Sequence, residues 1–159
     1  MYLKPLFVAL SLSTALIAPA LAQAKAVDLH LRMSNYGGPG AYVAIYVTGP
    51  TGAYAGSLWM AGQKTKYYKH LRDWVRYTSN NSAEVSGISG ASLGMGRSLD
   101  LSMELSDALF DAGYTLHLDA AAEDMRESPN EVEIALTTSG AGQAVSGKTY
   151  ISTVSYDFK

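Results

Sequence analysis

The sequence predicts an all-β fold, an antiparallel immunoglobulin-like sandwich of about seven strands with one inserted α-helix. Three observations carry this. Apolar and polar residues alternate with a period of two along most of the chain beyond residue 22. Clusters of Gly, Pro, Asn and Ser separate the alternating runs. Only between Thr65 and Tyr77 does the apolar spacing become helical.

In chain order, Val27, Leu29, Leu31 and Met33 alternate with Asp28, His30, Arg32 and Ser34, a strand with one wet face. The turn-rich stretch Asn35–Gly40 follows. Ala41–Thr48 is apolar on both faces, as expected of a central strand. Gly49–Gly52 turns the chain into a third strand, Tyr54–Met60. Four more strands are expected over Arg97–Leu105, Tyr114–Ala120, Glu131–Thr137 and Thr149–Phe158. In the sixth of the seven, Val132, Ile134 and Leu136 oppose Glu131 and Glu133. Over 65–77, Tyr67, Leu71, Trp74 and Val75 share a helical face. Thr65 is positioned to cap it, and Lys69 can pair with Asp73 four residues on. This helix is expected to cover one open end or edge of the sandwich. Residues 78–96 form a long Gly/Ser loop.

Residues 1–22 have a different design. Lys4 precedes an apolar run from Leu6 to Leu16, Pro19 breaks it, and Ala20-Leu21-Ala22 gives the small-x-small pattern of a signal-peptidase site. Ala22-Gln23-Ala24 offers a second site. The run is shorter than the ~20 apolar residues that cross a bilayer, so the reading is a cleaved signal peptide. What remains, 23–159, reads as one domain in the periplasm, not embedded in the membrane. The chain has no cysteine, which excludes disulfides, thiolate chemistry and lipid attachment to a cysteine. Lys and Arg number 12 against 14 acids. That balance argues against nucleic acid as a partner.

The 78–96 loop is the least ordinary stretch, because connections this long are commonly functional or disordered. Within it, Ser86-Gly87-Ile88-Ser89-Gly90-Ala91-Ser92 carries little side-chain bulk. Ser89, Gly90, Ala91 and Ser92 resemble the end of the attachment motif Asp-x-x-Ser/Thr-Gly-Ala-Ser/Thr, where a FAD-dependent flavin transferase esterifies FMN to the last hydroxyl. Ser92 would be that acceptor. Ser86 stands at the Asp position, with Glu84 two residues before it.

The segments Leu58–Lys64, Tyr67–Trp74, Ser86–Ser92, Gly113-Tyr114 and Ala122–Asp124 are together similar to the predicted periplasmic proteins grouped as domain of unknown function 2271. The resemblance runs from about Val27 to Phe158. It implies an exported protein of similar size, a flavin on the loop serine, and partnership with a flavin transferase. It also implies a membrane reductase of the peptidase-propeptide-like class and a link to iron uptake. A tethered flavin would make the protein an electron carrier or accessory subunit without turnover of its own. Tyr67, Tyr68, Trp59 and Trp74 would then offer ring faces. Lys66, Lys69, Arg72 and Arg76 would offset phosphate charge.

Simpler roles stand beside these. Tyr67, Leu71 and Trp74 read first as a core-packing stripe, and the basic residues as a solvated face. His30 and His117 are expected on wet strand faces, and no spacing joins them to His70 as metal ligands. Glu123, Asp124 and Glu127 read as a polar loop. No Ser-His-Asp elbow, phosphate loop or zinc motif is present. The second functional reading is a cofactor-free sandwich module that binds a partner protein or small ligand through a flexible Gly/Ser edge.

Overall fold

The structure, a computed structural model, describes residues 23–159. Residues 1–22, expected from the sequence to be a signal peptide, lie outside the described residues. Eight strands form two sheets: β1 (Ala24–Met33), β2 (Tyr42–Thr48), β3 (Tyr54–Ala61), β4 (Ser89–Gly90), β5 (Ser98–Ser106), β6 (Thr115–Ala121), β7 (Ser128–Ala135) and β8 (Ile151–Phe158). One sheet has the order β5-β1-β8 and the other β4-β3-β2-β6-β7. All pairings are antiparallel except β3 with the two-residue β4. The seven expected strands are therefore present, in the two packed sheets of a sandwich.

Alternation explains the main core. Val27, Leu29, Leu31 and Met33 of β1 are buried against Val43, Ile45 and Val47 of β2 and Leu116 and Leu118 of β6. The strand β2 is apolar on both faces because both are covered. Its other face places Ala44 and Tyr46 in a second cluster with Met60, Tyr68, Leu71, Trp74, Val85 and Ala121. The helical segment thus lies on the outer face of the five-stranded sheet, not at an end or edge. An exposed sheet face carrying Ala44, Tyr46 and Met60 would leave apolar area in water at roughly 25 cal/mol per Å².

The single helix expected over 65–77 is two pieces. Thr65–His70 is a 3₁₀ turn and Arg72–Thr78 is α1, with Leu71 between them at φ −87°, ψ 77°. The buried residues Tyr68, Leu71 and Trp74 recur every third position, the period of a 3₁₀ helix. The Tyr68 hydroxyl donates to the Gly62 carbonyl at 3.0 Å, which pins the turn. Thr65 does not cap it: Lys64 holds that position and no side chain bonds there. Asp73 pairs with Arg76 in place of Lys69.

The segment 78–96 is also more ordered than a plain loop. Asn81 caps a 3₁₀ turn over Ser82–Val85, its Oδ1 accepting from the Ala83 amide at 3.1 Å. Then β4 pairs Ser89 with Met60 and Gly90 with Ala61. Leu93 exchanges both backbone bonds with Ala41, at 2.7 and 2.8 Å. Buried Val85 and Leu93 are the apolar anchors that fix this stretch.

Two residues expected on wet faces are buried, His117 on the covered outer face of the large sheet and Glu131 beneath the segment that leads into β8. His117 sits in β6 with its ring stacked on Tyr46 and its Nε2 2.8 Å from the Thr48 hydroxyl. Glu131 is 1% exposed. Its Oε1 accepts from four consecutive amides, Lys148, Thr149, Tyr150 and Ile151, at 2.7–3.0 Å. Ser128 donates its hydroxyl to the other oxygen. Successive N–H groups converging on one oxygen form an anion-holding concavity, here filled by the protein's own carboxylate.

Candidate functional site

The Ser89–Ser92 motif lies at the edge of the large sheet. Ser89 and Gly90 are half-buried in β4, whereas Ala91 and Ser92 are exposed. The Gly90 carbonyl accepts the Gly62 amide at 2.8 Å. Gly90 also has no room for a side chain: a Cβ would stand 2.7 Å from the Trp59 ring. Trp59 therefore packs beneath the motif. At Gly40 a Cβ would come within 2.6 Å of the Ser92 Oγ. Glycine at position 40 keeps the Ser92 hydroxyl clear.

Beside the motif opens a cavity of about 590 Å³, within the usual range for small-ligand sites of roughly 300–1,000 Å³. Three separated segments wall it: Tyr42 at the start of β2, Tyr67, His70 and Arg72 from the helical segment, and Ala121–Glu127 with Pro129 from the β6–β7 connection. Two contacts join cavity and motif. Tyr42 pairs with Ala121 in register, and its ring lies where a Cβ on Gly62 would be, 2.2 Å away. Gly62 is the residue bonded to Gly90. On the other side, Met125 of the cavity presses on Gly38 while Ser92 presses on Gly40.

Part of the charge on the cavity wall is paired: His70 and Arg72 share Glu127, whereas Glu123, Asp124 and Arg126 have no ion pair among the described residues. His70 Nδ1 lies 2.7 Å from Glu127 Oε1, and the Arg72 Nε donates to Oε2 of the same carboxylate. Burial pushes the Glu127 carboxyl up, but its bonds to Arg72 and His70 more than offset that and hold it below the ordinary range. The Tyr67 hydroxyl donates to Glu123 at 2.6 Å, a bond that raises the Tyr67 phenol. The Tyr42 and Tyr67 rings are 5.3 Å apart and tilted.

A shared support sits behind both features. Tyr150, whose amide is one of the four on Glu131, donates its hydroxyl to the Arg126 carbonyl in the cavity wall. Its ring meets Tyr36 edge-on at 4.9 Å. The Tyr36 hydroxyl lies between the carbonyls of Pro39 at 2.7 Å and Leu93 at 2.8 Å, which share its one proton, on either side of the Gly40–Ser92 contact. On the helical side, buried Asp119 accepts the Trp74 amide at 2.8 Å and the Asn130 amide at 3.0 Å. Burial pushes the Asp119 carboxyl up.

Of the residues singled out from the sequence, Tyr67 and Arg72 line the cavity. Tyr68 and Trp74 do not. Both are buried in the second cluster, ring to ring at 5.7 Å, and Trp74 Nε1 donates to Ser57 at 2.9 Å. Their faces are occupied by packing. Lys69 is exposed and outside the lining, and Lys66 lies over the Tyr67 ring at 4.8 Å from its centroid. Sequence reading missed Tyr42, His70 and the whole 121–129 wall as site residues. Tyr42 alone among them carried a signal, an aromatic residue opening a strand otherwise buried on both faces.

Residues 24–153 match the family described as predicted periplasmic protein (DUF2271). The chain belongs to this family. Its periplasmic localisation follows from the family, and among the described residues no helix is long and apolar enough to cross a membrane. No curated protein and no solved structure matches the chain.

Proposed function

We propose that this member of the DUF2271 family is an electron-carrying flavoprotein or reductase subunit of the periplasm, with FMN esterified to Ser92. The observation that carries the reading is the exposed Ser92 hydroxyl, which closes a Ser-Gly-Ala-Ser motif and faces a glycine where any side chain would obstruct it. In the transfer the Ser92 oxygen bonds to the FMN phosphorus of FAD. The bond joining the two phosphates breaks, AMP leaves, and the hydroxyl proton is released. A tether of this kind retains the cofactor in a compartment where a free flavin would diffuse away. The bound flavin would supply exchange of electrons singly or in pairs. The chain's own residues would hold and orient it. By family resemblance the donor side is a membrane reductase of the peptidase-propeptide-like class and the context iron uptake.

A specific observation favours a second reading, a cofactor-free binding module. Ser86 stands where the attachment motif has Asp, and Glu84, the nearest carboxylate, accepts the Tyr54 hydroxyl at 3.0 Å. Coexpression of the exported chain with a bacterial flavin transferase separates the two. The first reading expects an intact mass higher by FMN less one water, and yellow colour that survives denaturation. A gain only in Ser86→Asp, with the natural chain unmodified, favours the binding module. No gain in either, with the transferase active on a control protein, refutes the flavin reading.

A further inference from the structure

We infer that the cavity walled by Tyr42, Tyr67 and the 121–129 connection is the docking site for the flavin ring attached at Ser92. This rests on the flavoprotein reading and goes beyond it, by separating the place of attachment from the place where the ring binds.

Three observations converge. The first is distance. Ser92 and Met125 press on positions 40 and 38 of one short stretch, which spans at most ~7 Å fully extended. The ribityl phosphate arm has to cover that span and the contact at each end of it, which puts a ring carried on Ser92 within reach of the cavity wall at Met125. The second is charge. Arg72 and His70 are committed to Glu127, and Glu123 accepts Tyr67. With Asp124 a third acid on the wall, the site suits an uncharged planar ring better than a phosphate, which stays outside on the serine. The third is surface chemistry. Tyr42 and Tyr67 offer aromatic faces, Ala121, Ala122, Met125 and Pro129 an apolar floor, and Arg126 a guanidinium for the ring's carbonyl edge. Tyr68, Trp74 and Lys69 have no part in it. Tyr67 is a positioning residue as well as a ring face, because its bond to Glu123 ties the helical wall to the β6–β7 wall across the opening.

The test uses the exported chain coexpressed with a flavin transferase. Three quantities are read: intact mass, flavin emission per attached FMN, and quenching of that emission by iodide. A phenol ring in contact with a flavin quenches it. The folded protein should therefore emit several-fold less than the same protein unfolded, and iodide should have little access. Tyr67→Leu and Tyr42→Leu should each recover emission several-fold per attached FMN, while Lys69→Ala and Arg76→Ala should not. Mass gain with equal emission folded and unfolded, and free access for iodide, overturns the cavity assignment and leaves Ser92 attachment standing. If no mass is gained, the unmodified chain is titrated with riboflavin. Quenching lost in Tyr67→Leu then supports the cavity as the ring site and refutes attachment. No quenching by riboflavin overturns both.

Discussion

Replacing Glu131 by Leu should destabilise the fold more than any comparable change on a strand surface, and the cost can be worked from its bonds. Leu keeps most of the bulk but accepts nothing. The amides of Lys148 and Thr149 belong to exposed residues and can turn to water, whereas Tyr150 and Ile151 are 0% and 2% exposed. Leaving two buried donors unsatisfied costs about 1–3 kcal/mol each, hence about 2–6 kcal/mol together. Against a typical domain stability of about 5–15 kcal/mol that is a large share. With a urea m-value of about 2 kcal/mol per M, the unfolding midpoint should fall by about 1–3 M. Glu131→Gln keeps one oxygen for the four amides and can take the Ser128 hydroxyl differently, so it should lose only about 1 kcal/mol. Gly147→Ala attacks the same nest sterically, since its Cβ would stand 2.7 Å from Glu131 Oε1 and 2.6 Å from the Ile151 carbonyl. It should destabilise as well. Equal midpoints for Glu131→Leu and Glu131→Gln, or a Leu variant within about 0.5 kcal/mol of the parent as a surface change would be, would refute the assigned role of the nest.

Three further outcomes are expected. The Glu127 carboxyl is held below its ordinary range by Arg72 and His70. Its contribution to stability is therefore complete above the unfolded carboxylate value of about 4.3 and is lost as pH falls through the folded value. Denaturant midpoints measured across that acid range should decline less steeply in Glu127→Gln than in the parent. Gly40→Ala, whose Cβ would stand 2.6 Å from the Ser92 Oγ, should lower flavin loading in coexpression while the circular dichroism spectrum stays β-rich; undiminished loading would show that the glycine is not needed to clear the hydroxyl. Tyr67→Leu should free the emission of an attached flavin, as argued above, and unchanged emission per flavin would count against the cavity.

The sequence announced what is local and concealed what is assembled. The alternation of Val27, Leu29, Leu31 and Met33, and the unbroken apolar run of β2, each reflect the one or two covered faces of a single strand. The Ser89–Ser92 motif is legible because its residues are contiguous. Glu131 and His117 read as wet because period two assigns a face but does not say what covers it. The helical segment covers one face, and the amides that satisfy Glu131 arrive from residues 148–151. The helix break at Leu71 was hidden because Tyr67 and Tyr68 both fit a helical stripe. Tyr68 turns inward, where its hydroxyl reaches the Gly62 carbonyl and its ring packs on Trp74, while Tyr67 turns to Glu123. The cavity could not be read at all, since Tyr42, Arg72 and Met125 come from three segments far apart in the chain.

The central claim is that Ser92 carries FMN, and peptide mapping tests it most directly. Arg76 and Arg97 bound a stretch with no other basic residue, so trypsin releases Tyr77–Arg97 as one peptide holding Ser79, Ser82, Ser86, Ser89 and Ser92. From protein coexpressed with an active flavin transferase, that peptide should appear heavier by FMN less one water. Fragmentation should place the added mass on Ser92, and Ser92→Ala should abolish it. An unmodified peptide from the natural chain, or the added mass on any other residue, would contradict the account.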